Sequence, residues 1–470
     1  MLTECESPPD VTISQRLARF AAAVDFAALP TTVIEAIKLH VLDTIGVALA
    51  ASRQDFASSV FAGVRELCGR ADGDCRVIGR PERLPAAWAA LVNGTLAHGL
   101  DFDNTHQESV VHVSAGIVPA ALAQCEHRRA NGRTLIAAIA AGEEASIRIG
   151  LAARGAFHDR GFHPTGVCNT FGAAVAAGKV LGLTTEQFVH ALGVAGSQAA
   201  GLFEFLSDGS WVKRLHGGWA AHAGIAAATL ARFGFTGPRT VLDGRFGLYR
   251  THLGESGWDL AAVVDQLGDR WELVQTALKP YPCCHYNHAF IDAVAVLQQM
   301  HRFTAADVDH IECALSERQV PIVCEPLATK RRPQTDYDAK FSLPYAVACQ
   351  VVRNRVVVDD YSDAAIRDPS IIELAARVSY TIDQVGDFPR RFGGRVRVRL
   401  RDGRMLTHAE PINRGSAERP LTAADIADKF RRNAAGVLPS DNATAVQAAI
   451  ASLERLDDLS TLTSALQPSR

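Results

Sequence analysis

No window of this 470-residue chain reaches the unbroken apolar length of a membrane span; the alanine-rich stretches come nearest, and charged residues or glycines interrupt them. Neither sign of charge prevails. The net charge of −3 leaves no field to gather nucleic acid or an acidic membrane. No CxxC pair and no His/Cys cluster has the spacing of a zinc site. The ten cysteines are scattered, which fits reduced thiols in a cytosol better than a disulfide framework. The opening MLTECESPPD is acidic and has no apolar h-region, so no secretory signal is expected and the expected location is cytoplasmic. Internal repeats and low-complexity tracts are also missing. What remains is an ordinary globular balance, 48% hydrophobic and 21% charged, with length for two or three average domains.

One stretch departs from that balance. Ala97–Pro119, AHGLDFDNTHQESVVHVSAGIVP, packs His98, His106 and His112 with Asp101, Asp103, Thr105 and Ser114 between two apolar, helix-like segments. Unpaired buried polar groups are costly, so either these residues satisfy one another at a helix junction or they face a cleft and do chemistry.

Around it the helical period dominates up to about residue 270. Residues 1–10 read as a loose polar tail. Val11–Arg53 reads as two helices split by Pro30, with Thr32 and Glu35 as a capping box. Residues 84–98 form a helix running into the polar stretch. Helices follow at Ile117–Arg129, Thr134–Ala152, Gly166–Leu183 and Thr185–Gly201, and their glycines and alanines imply close packing. Two more polar islands interrupt the block. In Gly161–Gly166, Pro164 pushes His163 out of the helical region onto a turn. In Ser210–Gly218, Lys213 is expected just before the helix that carries His222, an unfavourable place for a cation whose natural use is to bind an anion there, the alternative being a simply exposed lysine.

After residue 270 the pattern changes. LKPYPCCH at 278–285 is boundary-like, a helix is expected at Asn287–His301 and another, holding Pro344, at Tyr337–Val352. Strand patterns occur at Val308–Leu315 and Val378–Ile382, and Arg395–Glu410 reads as a hairpin turning at Asp402-Gly403. The expected fold is mainly α. A large helical domain, 1–275 completed by C-terminal helices 411–470, carries an inserted α+β lid domain at 276–410.

AHGLDFDNTH, GFHPTG, KRLHGGWAAHAGIAAATLARFGFTGP, LKPYPCCHYNHAFIDAV and DAKFSLPYAVA, in this order, resemble the MmgE/PrpD family. That family includes 2-methylcitrate dehydratase, cis-aconitate decarboxylase and iminodisuccinate epimerase. The resemblance implies a site in the cleft between the two domains, a homodimer, and no metal or organic cofactor. It places Asp101, Thr105, His112, His163, Lys213, Lys279 and Tyr345 at the site. Asn104 departs from the family, which often has a second aspartate there; one negative charge is lost beside the site. The shared chemistry removes a proton or carbon dioxide next to a carboxylate. His112 and His163 suit the acid–base pair, and Lys213 and Lys279 the fixed charge that holds carboxylates and the developing anion. Asp101 would orient a histidine, and Thr105 would bond a substrate carboxylate. The expected partner is thus a small di- or tricarboxylate. The expected activity is a 2-methylcitrate dehydratase-like hydro-lyase, with cis-aconitate decarboxylase-like or iminodisuccinate epimerase-like activity, or carboxylate binding without turnover, as alternatives. Catalysis is expected to need closure of the lid.

Blander readings stand beside these. His98, Asp101, Asp103 and His106 could hold a metal. Cys283-Cys284 reads as packing rather than a nucleophile. His222 reads as a helix histidine that could touch substrate. Asp336, Asp338 and Lys340 read as a helix start or a lid contact, and Lys330-Arg331-Arg332 as a solvated loop.

Overall fold

The computed structural model describes residues 11–69, 73–383, 385 and 387–468. The expected polar tail at 1–10 lies outside them. Among the described residues the chain is mostly helical, with a four-stranded sheet and a short antiparallel pair, Cys75–Arg76 with Arg83–Leu84. Five helices, Ala86–His98, Ser114–Arg128, Gly132–Ala152, Pro164–Leu181 and Val212–Arg232, pack side by side, with Thr31–Ala51 against them. Gly132–Ala152 buries nearly all its residues, as a helix apolar on every face must. The C-terminal helix Ala423–Ala434 lies along Thr31–Ala51, so the two ends of the chain build one body.

Small residues let these helices touch. A methyl placed on Gly218 would sit 2.1 Å from the Leu91 carbonyl oxygen, and one on Gly94 would sit 2.7 Å from the Gly218 Cα. Backbone meets backbone there, and the Thr95 hydroxyl also stands 2.3 Å from the methyl on Gly218.

The sheet runs in the order Val378–Ile382, Val308–Leu315, Gly394–Leu400, Met405–Glu410, the first pair parallel and the others antiparallel. Val396, Val398 and Leu400 are buried while Arg397 and Arg399 face solvent, and His288–His301 covers the apolar face. Gly403 turns the hairpin with φ 88°, a conformation glycine adopts without penalty. Apolar side chains fall into two cores. One is built from residues 17–278 and 421–466, the other from residues 205–406.

Several local expectations need correction. Thr31–Ala51 starts one residue before Thr32, with Pro30 at the cap, and Glu35 pairs with Lys38 at 3.0 Å instead of boxing the N-terminus. Tyr337–Val352 is two helices, Asp336–Lys340 and Leu343–Arg353, because Ser342 caps the second and Pro344 occupies its first turn. Lys330 is not in a solvated loop: it is buried and its Nζ donates to the Ile322 carbonyl at 2.8 Å. Lys340 also points inward, donating to Pro282 O at 3.0 Å, and burial pushes its ammonium down to about 8. Asp336 pairs with Arg214 at 2.6 Å across the seam between the two cores.

Because a Cβ at Gly218 meets the Leu91 carbonyl and the Thr95 backbone, which cannot swing aside, Gly218→Ala should lower unfolding stability by about 1–3 kcal/mol. Urea denaturation followed by circular dichroism measures it. Gly63→Ala, where a Cβ meets nothing within 4 Å, is the control and should be neutral or slightly stabilising.

Candidate active site

Three segments converge where the polar stretch crosses the seam. The Ala86–His98 helix stops at His98, and the chain winds without regular structure to Ser114. Asp101 (φ 52°) and Val110 (φ 57°) bracket this loop in the left-handed region, a strained choice for valine that clusters at functional sites. A two-hydrogen-bond bridge between Thr105 and Ala277, each 2.9 Å, pins the loop to the entry of the second core. His112 is held through its backbone: its N–H donates to Thr165 Oγ at 3.1 Å and its carbonyl accepts from Asn169 Nδ2 at 2.9 Å. His163 caps the N-terminus of that same helix, with Pro164 next, as the sequence implied.

The side chains meet at a buried cavity lined by Asp101, Thr105, His112, His163, Lys213 and His285, with Phe203, Phe341 and Phe392 among its apolar walls. It is tight. The space a water's centre can reach is about 40 Å³. The His112 and His163 rings are 6.1 Å apart. Asp103 Oδ2 receives both His98 Nδ1 at 2.7 Å and His112 Nδ1 at 3.3 Å. That contact gives His112 its hydrogen on Nδ1 and leaves Nε2 as a lone pair, 3.9 Å from Asp101 Oδ1. Thr105 Oγ also reaches His112 Nδ1 at 3.3 Å. His163 stacks on His98 at 5.3 Å and meets His216 Nδ1 to Nδ1 at 2.8 Å, so this imidazole pair shares one hydrogen.

Asp101 answers the lysines. Lys213 Nζ bonds its Oδ1, and Lys279 Nζ lies 3.2 Å from Oδ2. Burial alone would raise Asp101, but the two ammonium groups outweigh it and hold the carboxyl well below its usual range. Burial would likewise raise Asp103, and His98 and His112 outweigh it. The histidines go the other way. Burial outweighs Asp103 and pushes His112 down to about 4; burial takes His216 to about 3 and His163 well below 6.5. With two lysines against two aspartates and neutral imidazoles, the cavity carries no net charge before a ligand arrives.

Not every residue marked in the sequence joins it. Lys213 is the second residue of the Val212–Arg232 helix, not a residue ahead of it, and its ammonium is committed to Asp101. Lys279 is fully buried behind Asp101, donating to the Asp101 carbonyl at 2.8 Å and the Cys283 carbonyl at 3.3 Å; it braces the wall and does not face the cavity. Tyr345 is buried in the second core with its hydroxyl on the Asp360 carbonyl at 2.6 Å. His222 lies between Trp88 and Trp219, its Nδ1 3.2 Å from the Ala87 carbonyl oxygen, about two and a half helical turns from Lys213. The last two therefore lie outside the cavity. Asn104 faces away too: its Nδ2 donates to Ser114 Oγ at 2.7 Å, and Ser114 donates to Glu143 at 2.5 Å. An aspartate at 104 would confront Glu143.

Asp103 and His285 are the residues the sequence reading passed over. Asp103, weighed only as a metal ligand, performs the orienting role expected of Asp101. His285 lines the cavity, and Asn413 fixes its tautomer. Asn413 Oδ1 accepts from Gln107 Nε2 at 2.9 Å, so its Nδ2 must donate to His285 Nε2, 2.8 Å away. His285 then carries its hydrogen on Nδ1, a buried atom with no partner among the described residues. A donor held ready for an oxyanion has this form. The LKPYPCCH run held the signal, but the three residues it links are 128 and more positions apart. Cys283 and Cys284 are pushed up by burial to about 11 and about 12, too high for a thiolate nucleophile.

His98, Asp103 and His112 each offer one ligand atom, all within 4.8 Å of one another. His106 is not with them; its Nδ1 pairs with Ser109 Oγ at 2.9 Å. The donor set differs from the one weighed in the sequence, and both imidazoles already spend Nδ1 on the carboxylate, a hydrogen-bonded arrangement suited to acid–base work.

The matches to known proteins agree with this architecture. The MmgE/PrpD N-terminal domain model matches residues 15–261 and the C-terminal domain model residues 281–455. The chain belongs to the MmgE/PrpD family and is an enzyme of that family. Among its relatives, cis-aconitate decarboxylase of Homo sapiens is 30% identical over 83% of this chain and 82% of its own. The cis-aconitate decarboxylase of Aspergillus terreus is 27% identical over 96% and 95%, and the cis-aconitate decarboxylase-like protein oryM of Aspergillus oryzae 26% over 98% of each. Among the described residues no helix is long and apolar enough to cross a membrane.

Two outcomes follow from the burial of the histidines. His106 is pushed down to about 3 and His216 to about 3, against 6.5 in the unfolded chain. Below 6.5 the unfolded state takes up protons that the fold refuses, so stability is greatest above 6.5 and falls as the pH drops toward 4. The slope per such histidine is about 1.4 kcal/mol per pH unit. His106→Asn should flatten the fall in urea-derived stability between pH 6.5 and 4. Prolonged EDTA treatment should leave activity intact; loss restored by one divalent ion would instead assign His98, Asp103 and His112 as ligands.

Proposed function

We propose that this enzyme is a carboxylate lyase that decarboxylates an unsaturated tricarboxylate of the cis-aconitate kind. The observation that carries the reading is the pairing of His112, oriented by Asp103, with His163 across one cavity whose charge is balanced without ligand. All three relatives described above carry the decarboxylase name. That moves the reading from dehydration, preferred from the sequence, to loss of carbon dioxide.

The proton count fits the site. When the bond to the departing carboxylate breaks, its electron pair forms a new carbon–carbon double bond. The old double bond's pair moves to the carbon beside a second carboxylate, where a proton must add. A trianion and one proton give a dianion and carbon dioxide, so each turnover consumes a proton. Neutral His112, His163 and His216 cannot supply it before binding. Three carboxylates brought beside them raise their pKa values, and the substrate draws in the proton it needs. The shared His163–His216 hydrogen offers a path from the far side of the ring. Lys213, Thr105 and the His285 Nδ1–H receive carboxylate oxygens. Lys279 keeps Asp101 from turning toward the substrate.

A six-carbon acid does not fit the space available. His285, Tyr286, Ile322, Phe341 and Phe392 come from the second core, while Asp101, His112, His163 and Lys213 come from the helical body. The 276–410 segment acts as a lid that opens along this seam and closes again, excluding water and strengthening each charge interaction. No metal or organic cofactor has a role in this scheme, and the working unit is a homodimer in the cytoplasm.

The decisive measurement is proton NMR in deuterated buffer over a panel of di- and tricarboxylates, with released carbon dioxide trapped. Carbon dioxide with one deuterium in the product, on the carbon beside a carboxylate, supports the reading. Exchange without carbon dioxide makes the enzyme an epimerase or dehydratase, and binding without either makes it a carboxylate-binding protein. His163→Ala should fold and lose about 10²–10⁴-fold in turnover. Binding of a substrate analogue should take up protons at pH 7, seen as a calorimetric enthalpy that varies with the buffer's ionisation enthalpy.

A further inference from the structure

The seam holds a second and much larger concavity, a cleft of about 1510 Å³ that carries none of the acid–base groups. Five arginines line it, Arg53, Arg302, Arg355, Arg414 and Arg432, against the single acid Asp359. Arg53 and Arg432 belong to the helical body; Arg302 and Arg355 follow helices of the second core. All four stand at or just beyond helix C-termini. A cation there answers the helix dipole, which accounts for where the arginines sit. It does not account for their donors. Arg414 is occupied by Tyr281 at 3.0 Å and Asp292 at 3.4 Å, and Arg355 has Asp360 at 3.9 Å. Among the described residues no carboxylate lies within ion-pair distance of Arg53, Arg302 or Arg432, and Arg53 reaches only the Ala435 carbonyl at 3.4 Å. Three guanidinium forks thus line one cleft with their bidentate edges unspent, in a protein whose net charge is −3.

We infer that this cleft binds a small polyanion with several phosphate or carboxylate groups, which bridges arginines of the two cores. Guanidinium forks match the paired oxygens of either group. The floor of the cleft makes the site more than a surface patch. Phe102 lies between Asp101 and Asp103, and Pro280-Tyr281 follow Lys279 directly. Lys429 fastens these two pieces from behind, donating to the Phe102 carbonyl at 2.8 Å and the Lys279 carbonyl at 3.0 Å. A ligand in the cleft therefore presses on the reverse side of the segments that carry the catalytic carboxylates. By tying the two cores together it would slow their opening. That consequence rests on the lid movement proposed above; the binding itself does not.

The test is calorimetric titration of the full chain with tripolyphosphate, ATP and propane-1,2,3-tricarboxylate, on wild type, on the Arg302→Ala/Arg432→Ala double variant and on His163→Ala. The expected result is, for at least one probe, one saturable site besides the active-site binding that the proposed function gives the tricarboxylate. The double variant should weaken it on the order of tenfold or more and His163→Ala should leave it unchanged. Preference for tripolyphosphate and ATP identifies phosphate as the ligand group; preference for the tricarboxylate identifies carboxylate. No saturable heat at millimolar probe, or binding that the double variant leaves untouched, overturns the site. A double variant that sediments at half the wild-type mass overturns it as well, by showing that the cleft is an interface between copies. Binding with no change in turnover removes the regulatory consequence. Because the readout is heat of binding, failure to find a turned-over acid leaves this test standing.

Discussion

Burying a carboxylate is expensive unless cations and hydrogen bonds meet it, and Asp101 is where this protein meets that demand. Two lysines from sites 112 and 178 residues away close on one carboxylate. Neither lysine has solvent to retreat to, so each of the three charges is tolerable only while the other two stay in place. Losing one partner of such a buried set costs about 3–5 kcal/mol, because a bare charge is left behind. The left-handed Asp101 backbone, the Thr105–Ala277 bridge and Lys429 beneath Phe102 all serve to bring that carboxylate to the lysines. Asp43 is a second buried carboxylate with a single lysine, Lys429 at 2.6 Å, and there burial outweighs the cation and raises the carboxyl.

The same desolvation that makes the ion cluster necessary keeps the imidazoles neutral. Burial pushes His112 down and outweighs the carboxylate partner that Asp103 supplies. A site with balanced fixed charge and several uncharged imidazoles is poised for a ligand that carries both negative charge and the protons that charge attracts. A pocket of bare cations would bind polycarboxylates tightly in the ground state and gain nothing at the transition state. In the reaction proposed above the positive charge would arrive with the substrate and leave as the proton is transferred.

Much of this was legible from residues. The helical period, the hairpin at Asp402-Gly403, the change of character near residue 276 and the cluster of His112, His163, Asp101 and Lys213 could be read from local pattern. What could not be read was direction. Asp101 and Asp103 are two residues apart, and no spacing says which faces a lysine and which an imidazole; that depends on the left-handed φ at Asp101. Tyr345 and His222 sit in motifs that do contribute to the site region, but helix phase turns one into the second core and the other toward Trp88 and Trp219. Lys330 looked solvated because Lys-Arg-Arg is usually a surface run; a buried carbonyl at Ile322 claims its ammonium instead. Asn413 was invisible because its partners, Gln107 and His285, come from separate parts of the chain.

The position of Lys279 changes the argument for closure. The sequence suggested a clamp with one lysine on each side of the substrate. In the fold both lysines are on the same carboxylate, and Lys279 is already inside, so it gives a ligand no reason to draw the two bodies together. The groups on the second core that do face the cavity are His285 and aromatic walls, and His285 is aimed by Asn413 and, through it, by Gln107 from the polar loop. Charge attraction does cross the seam in the Arg214–Asp336 pair at 2.6 Å, away from the substrate cavity. The Gln107–Asn413–His285 chain fixes the hydrogen of His285 on Nδ1 and leaves no lone pair there. A carboxylate bound against a lone pair would be repelled, and one bound against the hydrogen is held. The tautomer of this cavity-lining histidine is therefore set by residues from two distant parts of the chain.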